Sequence, residues 1–319
     1  MSGAKNVRRE FLRMAGAGIA GAGLVHAEQA SAPAASAGVF DVKAFGAVGD
    51  GKAVDSAHIN KAIDAAAAAG GGTVQFPAGS YLSYTIRLKS NVALYLGQGA
   101  KIVAAESGGY DSAEPNAWDK FQDYGHSHWR NSLIWGDGLE NISILGPGLI
   151  WGKGLSKGYG PGPKAEVPGV GNKAISLKNC RNVVLRDFAI LHGGHFGVLA
   201  TGVDNFTIDN LQIDTNRDGI DIDCCRNVRV SNCAINSPWD DGLCLKSSYG
   251  LGSAKPTEMV TITNCYLAGC FEEGTLLDAT YKRFAPGVRV PHTGRIKFGT
   301  ESNGGFRNIT ISNCVFEGC

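Results

Sequence analysis

The sequence predicts an all-β chain, a parallel β-helix closed at one end by a short helix. Three observations carry that prediction. First, seven segments repeat one pattern, beginning at Asn91-Val92, Asn141-Ile142, Asn182-Val183, Asn205-Phe206, Asn227-Val228, Met259-Val260 and Asn308-Ile309. Each has a polar residue, a few alternating β-branched or apolar residues, a polar residue and an apolar one. The closest, at Asn182, Asn205 and Asn227, lie 23 and 22 residues apart. So short a unit cannot bury its apolar face alone, whereas stacked units can. Second, the units contain no helix of their own, which disfavours leucine-rich and helical solenoids and leaves strands stacked in register at about 4.8 Å per coil. Third, Asn232-Cys233, Asn264-Cys265 and Asn313-Cys314 occupy one place in their repeats, as do Asn210-Leu211 and Asp187-Phe188. That predicts an inward column of Phe188, Leu211, Cys233, Cys265 and Cys314, with a ladder of asparagines at the bend.

From the start of the chain, Arg8-Arg9-Glu10-Phe11-Leu12-Arg13 followed by a Gly/Ala-rich run to Val25 reads as a twin-arginine leader, residues 1–27. The run is too short and too rich in glycine for a membrane span. Residues 28–38 read as an Ala/Ser-rich linker. The leader implies the twin-arginine export machinery as a partner and a periplasmic or secreted location. The β-helix is expected over 39–319. Phe40 to Ala47 opens it as a strand. Asp55 is the expected N-cap of a helix through His58, Ile59, Ala62, Ile63 and Ala66, ended by Gly70-Gly71-Gly72. The chain stops at Cys319 just after a repeat strand, and the expectation is a C-terminally truncated product, because solenoids close with an atypical repeat.

Composition excludes some functions. Lys and Arg total 30 against 29 Asp and Glu in 319 residues, a net charge of +1 that gives nucleic acid nothing to bind. Nine cysteines form no small disulfide framework and no Cys-x-x-Cys pair, so they read as packing residues and not as a metal site.

Chemistry is expected between Asn216 and Ser248. Asn216-Arg217-Asp218-Gly219-Ile220-Asp221-Ile222-Asp223 is followed one coil later by Trp239-Asp240-Asp241-Gly242-Leu243-Cys244-Leu245. Matching Ile220 and Ile222 to Leu243 and Leu245 sets Asp218 beside Asp241, with Asp240 one residue earlier. Crowded carboxylates repel and raise each other's pKa, which folding does not need and acid–base chemistry does. Asp221 and Asp223 alternate with the isoleucines and are expected to point outward, as solvated or ladder residues and not as catalysts. Further on, Arg295-Ile296-Lys297 puts two cations on one strand face, suited to a sugar carboxylate.

These motifs together resemble glycoside hydrolase family 28, the polygalacturonases, whose Asn-Thr-Asp, Asp-Asp, Gly-His-Gly and Arg-Ile-Lys motifs lie on successive coils. The opening from Phe40 to Gly51, the capping helix and Phe76-Pro77-Ala78-Gly79 resemble the start of that family too. The resemblance implies a single-stranded right-handed parallel β-helix and inverting hydrolysis of α-linked galacturonate in pectin or its oligomers, without cofactor or metal. It implies Asp240 as general acid, Asp218 and Asp241 as the pair activating water, and Arg295 and Lys297 as holders of the galacturonate carboxylate. The chain departs from the pattern twice. Arg217 stands where Thr is usual, and Phe271-Glu272-Glu273-Gly274-Thr275 stands where Gly-His-Gly would, with Glu273 at the histidine. Asn216, Glu273, His195 (with His192 beside it) and Trp239 are further candidates for sugar contacts, as are Trp135 and Trp151. Two alternatives remain: a pectate-lyase-type enzyme with calcium among Asp218, Asp240 and Asp241, and a non-catalytic carbohydrate-binding β-helix.

Overall fold

The computed structural model describes residues 38–121, 126–158, 167–291 and 293–319. The twin-arginine leader and the linker lie outside them, except Gly38, which begins the first strand.

The described chain winds through three parallel sheets of nine, nine and seven strands, and successive coils add one strand to each. The architecture is the expected parallel β-helix. In the first sheet Val183, Phe206, Val228, Val260 and Ile309 lie side by side, and so do Leu185, Ile208, Val230, Ile262 and Ile311. The second sheet stacks Ile190, Ile213, Ile235 and Leu267. The third stacks Ile175, Val198, Ile220 and Leu243. Alternation points these residues inward, where all but the partly buried Ile309 and the exposed Ile311 form one continuous core along the solenoid axis.

The repeat's leading asparagines mark where the backbone bends. Asn91, Asn141, Asn182, Asn205, Asn227 and Asn308 all take left-handed φ between 53° and 63°, as does Met259 at 57°. Asparagine tolerates that region better than most side chains. Its amide also bonds the next coil: Asn141 donates to Asn91 (2.8 Å), Asn182 to Asn141 (2.9 Å), Asn205 to Asn182 (3.0 Å) and Asn227 to Asn205 (2.8 Å). A second row, Asp187, Asn210, Asn232, Asn264 and Asn313, is left-handed too. It leads into the predicted inward column, in which Phe188, Leu211, Cys233 and Cys265 are buried. The thiols of Cys233, Cys265 and Cys314 each donate to the carbonyl two residues earlier, at 3.2–3.3 Å. Cysteine thus fills the column and satisfies a bend carbonyl at once.

The helix Ser56–Ala68 covers the first coils with Ile59, Ala62, Ile63 and Ala66. Asp55 precedes it but makes no side-chain cap. Its carboxylate accepts the Val48 and Gly49 N–H groups (2.7 and 3.0 Å) and fixes the preceding turn.

Candidate active site

Asp218 begins the third-sheet strand Asp218–Asp223, and Asp240 and Asp241 occupy the turn before the strand Leu243–Ser247. Ile220 pairs with Leu243 and Ile222 with Leu245, as the sequence predicts. Glycine is required after each acid, because the coils approach closely there. A Cβ on Gly219 would meet the Gly242 carbonyl at 2.4 Å, and one on Gly242 would meet the Arg295 carbonyl at 2.7 Å. The close approach brings carboxylate oxygens of Asp218 and Asp241 and the Cys244 sulfur within 4.8 Å of one another.

The three acids differ in setting. Asp218 and Asp241 are buried, while the Asp240 side chain keeps 24% of its surface open. Burial pushes the Asp218 carboxyl well above the usual carboxylate range, with the charges of Asp221 and Asp240 adding to it. Asp241 accepts from Lys297 Nζ (2.9 Å) and from the Gly294 N–H (2.8 Å). Asp240 accepts two hydrogen bonds from Arg217 on one oxygen (3.0 and 2.5 Å) and the Asp241 N–H on the other (3.0 Å).

Arg295 does not take the expected place. It is 2% exposed, and its guanidinium donates to the carbonyls of Ser237 (2.8 Å), Ala268 (2.6 Å) and Asp240 (3.0 Å) and to Thr293 Oγ1 (2.6 Å). Arg295 thus ties the turn carrying Asp240, through the Ser237 and Asp240 carbonyls, to Ala268 at the end of the strand Tyr266–Ala268. Only Lys297 of the pair reaches the open side, with 37% of its side chain exposed.

His195 is also buried and stacks on Phe196 (ring centroids 4.2 Å apart) behind the strand row, so it does not line an open subsite. Burial, with Arg217 and His126 nearby, holds its imidazole well below the ordinary histidine pKa. His192 is more open, and its Nε2 lies 3.1 Å from Glu273. Glu273 does come to the site. Its carboxylate accepts from Asn216 Nδ2 (2.7 Å) and lies 3.6 Å from Lys157. Asp214 accepts the Gly274 and Leu276 N–H groups (2.8 and 2.9 Å), docking that loop on the end of the strand Gln212–Asp214. Trp239 is half-buried, its ring edge-to-face with Phe284 at 5.7 Å. Trp151 donates to His192 (3.2 Å), and Trp135 donates to Asp111 (2.9 Å) under Arg130.

Asp221 and Asp223 point outward from the core as expected but are buried, not solvated. Over them lie Trp129, which donates to Thr201 Oγ1 (3.1 Å), and His126, whose Nε2 lies 3.1 Å from Asp221. Asp223 accepts the Ser248 N–H and hydroxyl (2.7 and 2.5 Å). Lys246 is buried between Glu301 (3.1 Å) and Asp221 (3.9 Å). Burial pulls its pKa down, but the charges of Asp221 and Glu301 outweigh that and raise it. Sequence reasoning missed Arg217 as a partner of Asp240, and it missed His126, Lys246 and Glu301. The only available signal was that polar residues alternated with apolar ones on these strands, which leaves open what covers them.

Comparison with known proteins agrees with the architecture. A family described as rhamnogalacturonase A/epimerase, pectate lyase-like matches residues 39–146, and a right handed beta helix region matches residues 164–319. A Vitis vinifera protein named Probable polygalacturonase is 25% identical over 291 residues, covering 85% of this chain and 53% of its own length. Mannuronan C5-epimerase AlgE3 of Azotobacter vinelandii is 49% identical over 72 residues, 23% of this chain and 4% of that protein. Among solved structures, the Yersinia enterocolitica family 28 exopolygalacturonase superposes with a TM-score of 0.65 at 20% identity, covering 88% of this chain and 54% of that one. The Thermotoga maritima exopolygalacturonase gives 0.63 at 18% identity, covering 86% and 66%. The chain spans about half the length of the polygalacturonase relatives it matches.

Proposed function

We propose that this chain, which belongs to the family 28-like polygalacturonase group of right-handed parallel β-helix proteins, hydrolyses α-linked galacturonate in pectin or its oligomers with inversion. One arrangement carries the reading. Asp218 and Asp241 converge from consecutive coils to within 4.8 Å, with Lys297 on Asp241, and Asp240, one residue earlier, opens to solvent beside Arg217. Two close carboxylates suit one shared water. A third, displaced carboxyl suits the leaving oxygen, since inversion needs acid and base about 6.5–9.5 Å apart to admit the water.

The sugar carboxylate would be met by Arg217 and Lys297, with Arg295 holding the catalytic turn from below. A uronate entering the groove competes with Asp240 for the Arg217 guanidinium. Drawn onto the substrate, Arg217 releases an oxygen of Asp240 to carry the proton for the glycosidic oxygen. A neutral sugar cannot do this, so substrate charge is coupled to the state of the acid. Trp239 offers an aromatic face next to Asp240 for a sugar ring. The leader fits the same role, as export by the twin-arginine route would deliver the enzyme to pectic polymers outside the cytoplasm.

The test is product analysis by mass after digestion of a panel of pectic oligomers, with Asp240→Asn as control. Saturated oligomers that disappear with the variant support the reading. Unsaturated products lost on chelation would favour a lyase, and oligomer binding without product a binding module.

A further inference from the structure

We propose that Cys270 and Cys319 form a disulfide that ties the last coil to the one before it. The inference stands apart from the hydrolytic reading, and its test needs no substrate. It departs from the expectation that all nine cysteines only pack.

One motif occurs twice near the end of the chain. Asn264-Cys265-Tyr266-Leu267-Ala268-Gly269-Cys270 returns 49 residues later as Asn313-Cys314-Val315-Phe316-Glu317-Gly318-Cys319. Tyr266 pairs with Val315, Leu267 with Phe316 and Ala268 with Glu317 in parallel register. The ladder runs one bond further, from the Gly269 N–H to the Glu317 carbonyl (3.0 Å). Extended by two residues, this register sets Cys270 opposite Cys319. Neighbouring parallel strands lie about 4.8 Å apart, inside the Cα separation of about 4.4–6.8 Å that a disulfide spans. Cys270 leans on the last coil, since a Cβ placed on Gly318 would lie 2.8 Å from the Cys270 Cβ. Arg283 braces the same junction, donating to Cys270 Sγ (3.4 Å) and pairing with Glu317.

The two differ from the other thiols in access. Six of the nine are buried, and Cys314, half-buried, donates to the Ser312 carbonyl (3.2 Å). Cys265 and Cys314 share a register too, but Cys265 is 2% exposed and donates to the Thr263 carbonyl (3.3 Å), out of reach of an oxidant. Cys319 is exposed and Cys270 half-buried.

A small disulfide such as oxidised glutathione serves as oxidant. The Cys319 thiolate attacks one of its sulfurs, giving a mixed disulfide and one free thiol. The Cys270 thiolate then attacks the Cys319 sulfur and expels the second. The two protein thiols lose two electrons and two protons, which leave with the oxidant as two small thiols. The bond closes a loop from 270 to 319 that includes Arg295 and Lys297, and it holds down a last strand, Val315–Glu317, whose Val315 and Phe316 are exposed. It persists only outside the reducing cytosol, where the proposed export would take the chain.

Full-length protein is equilibrated with oxidised glutathione or with dithiothreitol, then unfolded for thiol counting and intact mass. The oxidised protein should be a monomer with two fewer thiols and two fewer hydrogens, and its thermal midpoint should lie about 5 °C or more above the reduced form. Cys270→Ser and Cys319→Ser should each abolish the bond and the shift, whereas Cys314→Ser should keep both. If Cys270→Ser does not fold, Cys319→Ser, at an exposed position, decides. A full thiol count after oxidation, a lasting glutathione adduct, a bond that survives in Cys319→Ser, or a disulfide-linked dimer overturns the proposal and leaves the hydrolytic reading to its own test.

Discussion

Arg217 grips Asp240 through two guanidinium nitrogens, at 3.0 and 2.5 Å on a single carboxylate oxygen. The residue that departs from the resembled family thus controls the most exposed of the three acids. A charge-assisted fork of this kind is stronger than a neutral hydrogen bond, so whatever displaces it must offer a comparable anion. The carboxylate of a galacturonate unit is one.

Arg217→Thr should therefore erode discrimination between charged and neutral substrates. Losing one charge-assisted contact of about 1.5–3 kcal/mol corresponds to a fall of about ten- to a hundredfold in kcat/KM on galacturonate oligomers. Methyl-esterified oligomers should be affected far less. Steady-state kinetics on both substrates measures the ratio, and an equal loss on the two would show that Arg217 does not read the carboxylate.

Asp240→Asn should reduce kcat by about 10²–10⁴-fold, the range of a lost acid–base group, with the far-ultraviolet circular dichroism unchanged. Its carboxylate lies at a turn, outside the solenoid core, so the fold should tolerate the amide.

Arg295→Gln should act on stability first. It takes the Arg295 donor from the Ser237 carbonyl, while the Ala268 and Asp240 carbonyls keep the Ser237 N–H and the Ser237 and Thr293 hydroxyls. At about 1–3 kcal/mol for one buried unsatisfied group, urea denaturation should show a loss of that size. A variant with wild-type stability and a raised KM alone would restore Arg295 to the substrate.

Asn205→Ala should cost about 1–3 kcal/mol, combining ladder hydrogen bonds with a left-handed φ of 56° that alanine resists. Asn205→Gly, which keeps the backbone freedom, should cost less. Equal losses would mean that the bend conformation contributes little.

The pH dependence of stability has a definite sign at His195. Burial lowers its folded pKa well below 6.5, so the unfolded chain takes up a proton that the folded one refuses. The neutral side chain's contribution is complete above the unfolded value and is lost as pH falls below 6.5 towards the folded one. Denaturant midpoints at pH 7.5 and 5.5 should differ, and His195→Phe should flatten the difference. An unchanged slope in that variant would place the effect elsewhere.

Much of this fold was legible because a solenoid writes its geometry into the sequence. The spacing of Asn182, Asn205 and Asn227 reported the coil, and pairing Ile220 with Leu243 fixed the register that brings Asp218 beside Asp241. Local pattern could not reveal what lies across the outer face. Asp221 and Asp223 read as solvated because alternation gives direction and not cover, and the cover comes from His126 and Trp129, both roughly 90 residues earlier in sequence. Arg295 was misread for a related reason. Its place in an Arg-x-Lys strand suggested an exposed face, but the carbonyls of the Asp240 turn draw the guanidinium inward.

The most direct measurement is proton NMR of galacturonate oligomers during the first turnovers of wild-type protein and Asp240→Asn. The account predicts saturated fragments whose new reducing end appears first as the inverted anomer, and none with the variant. Retained configuration, an unsaturated fragment, or undiminished cleavage by Asp240→Asn would contradict it.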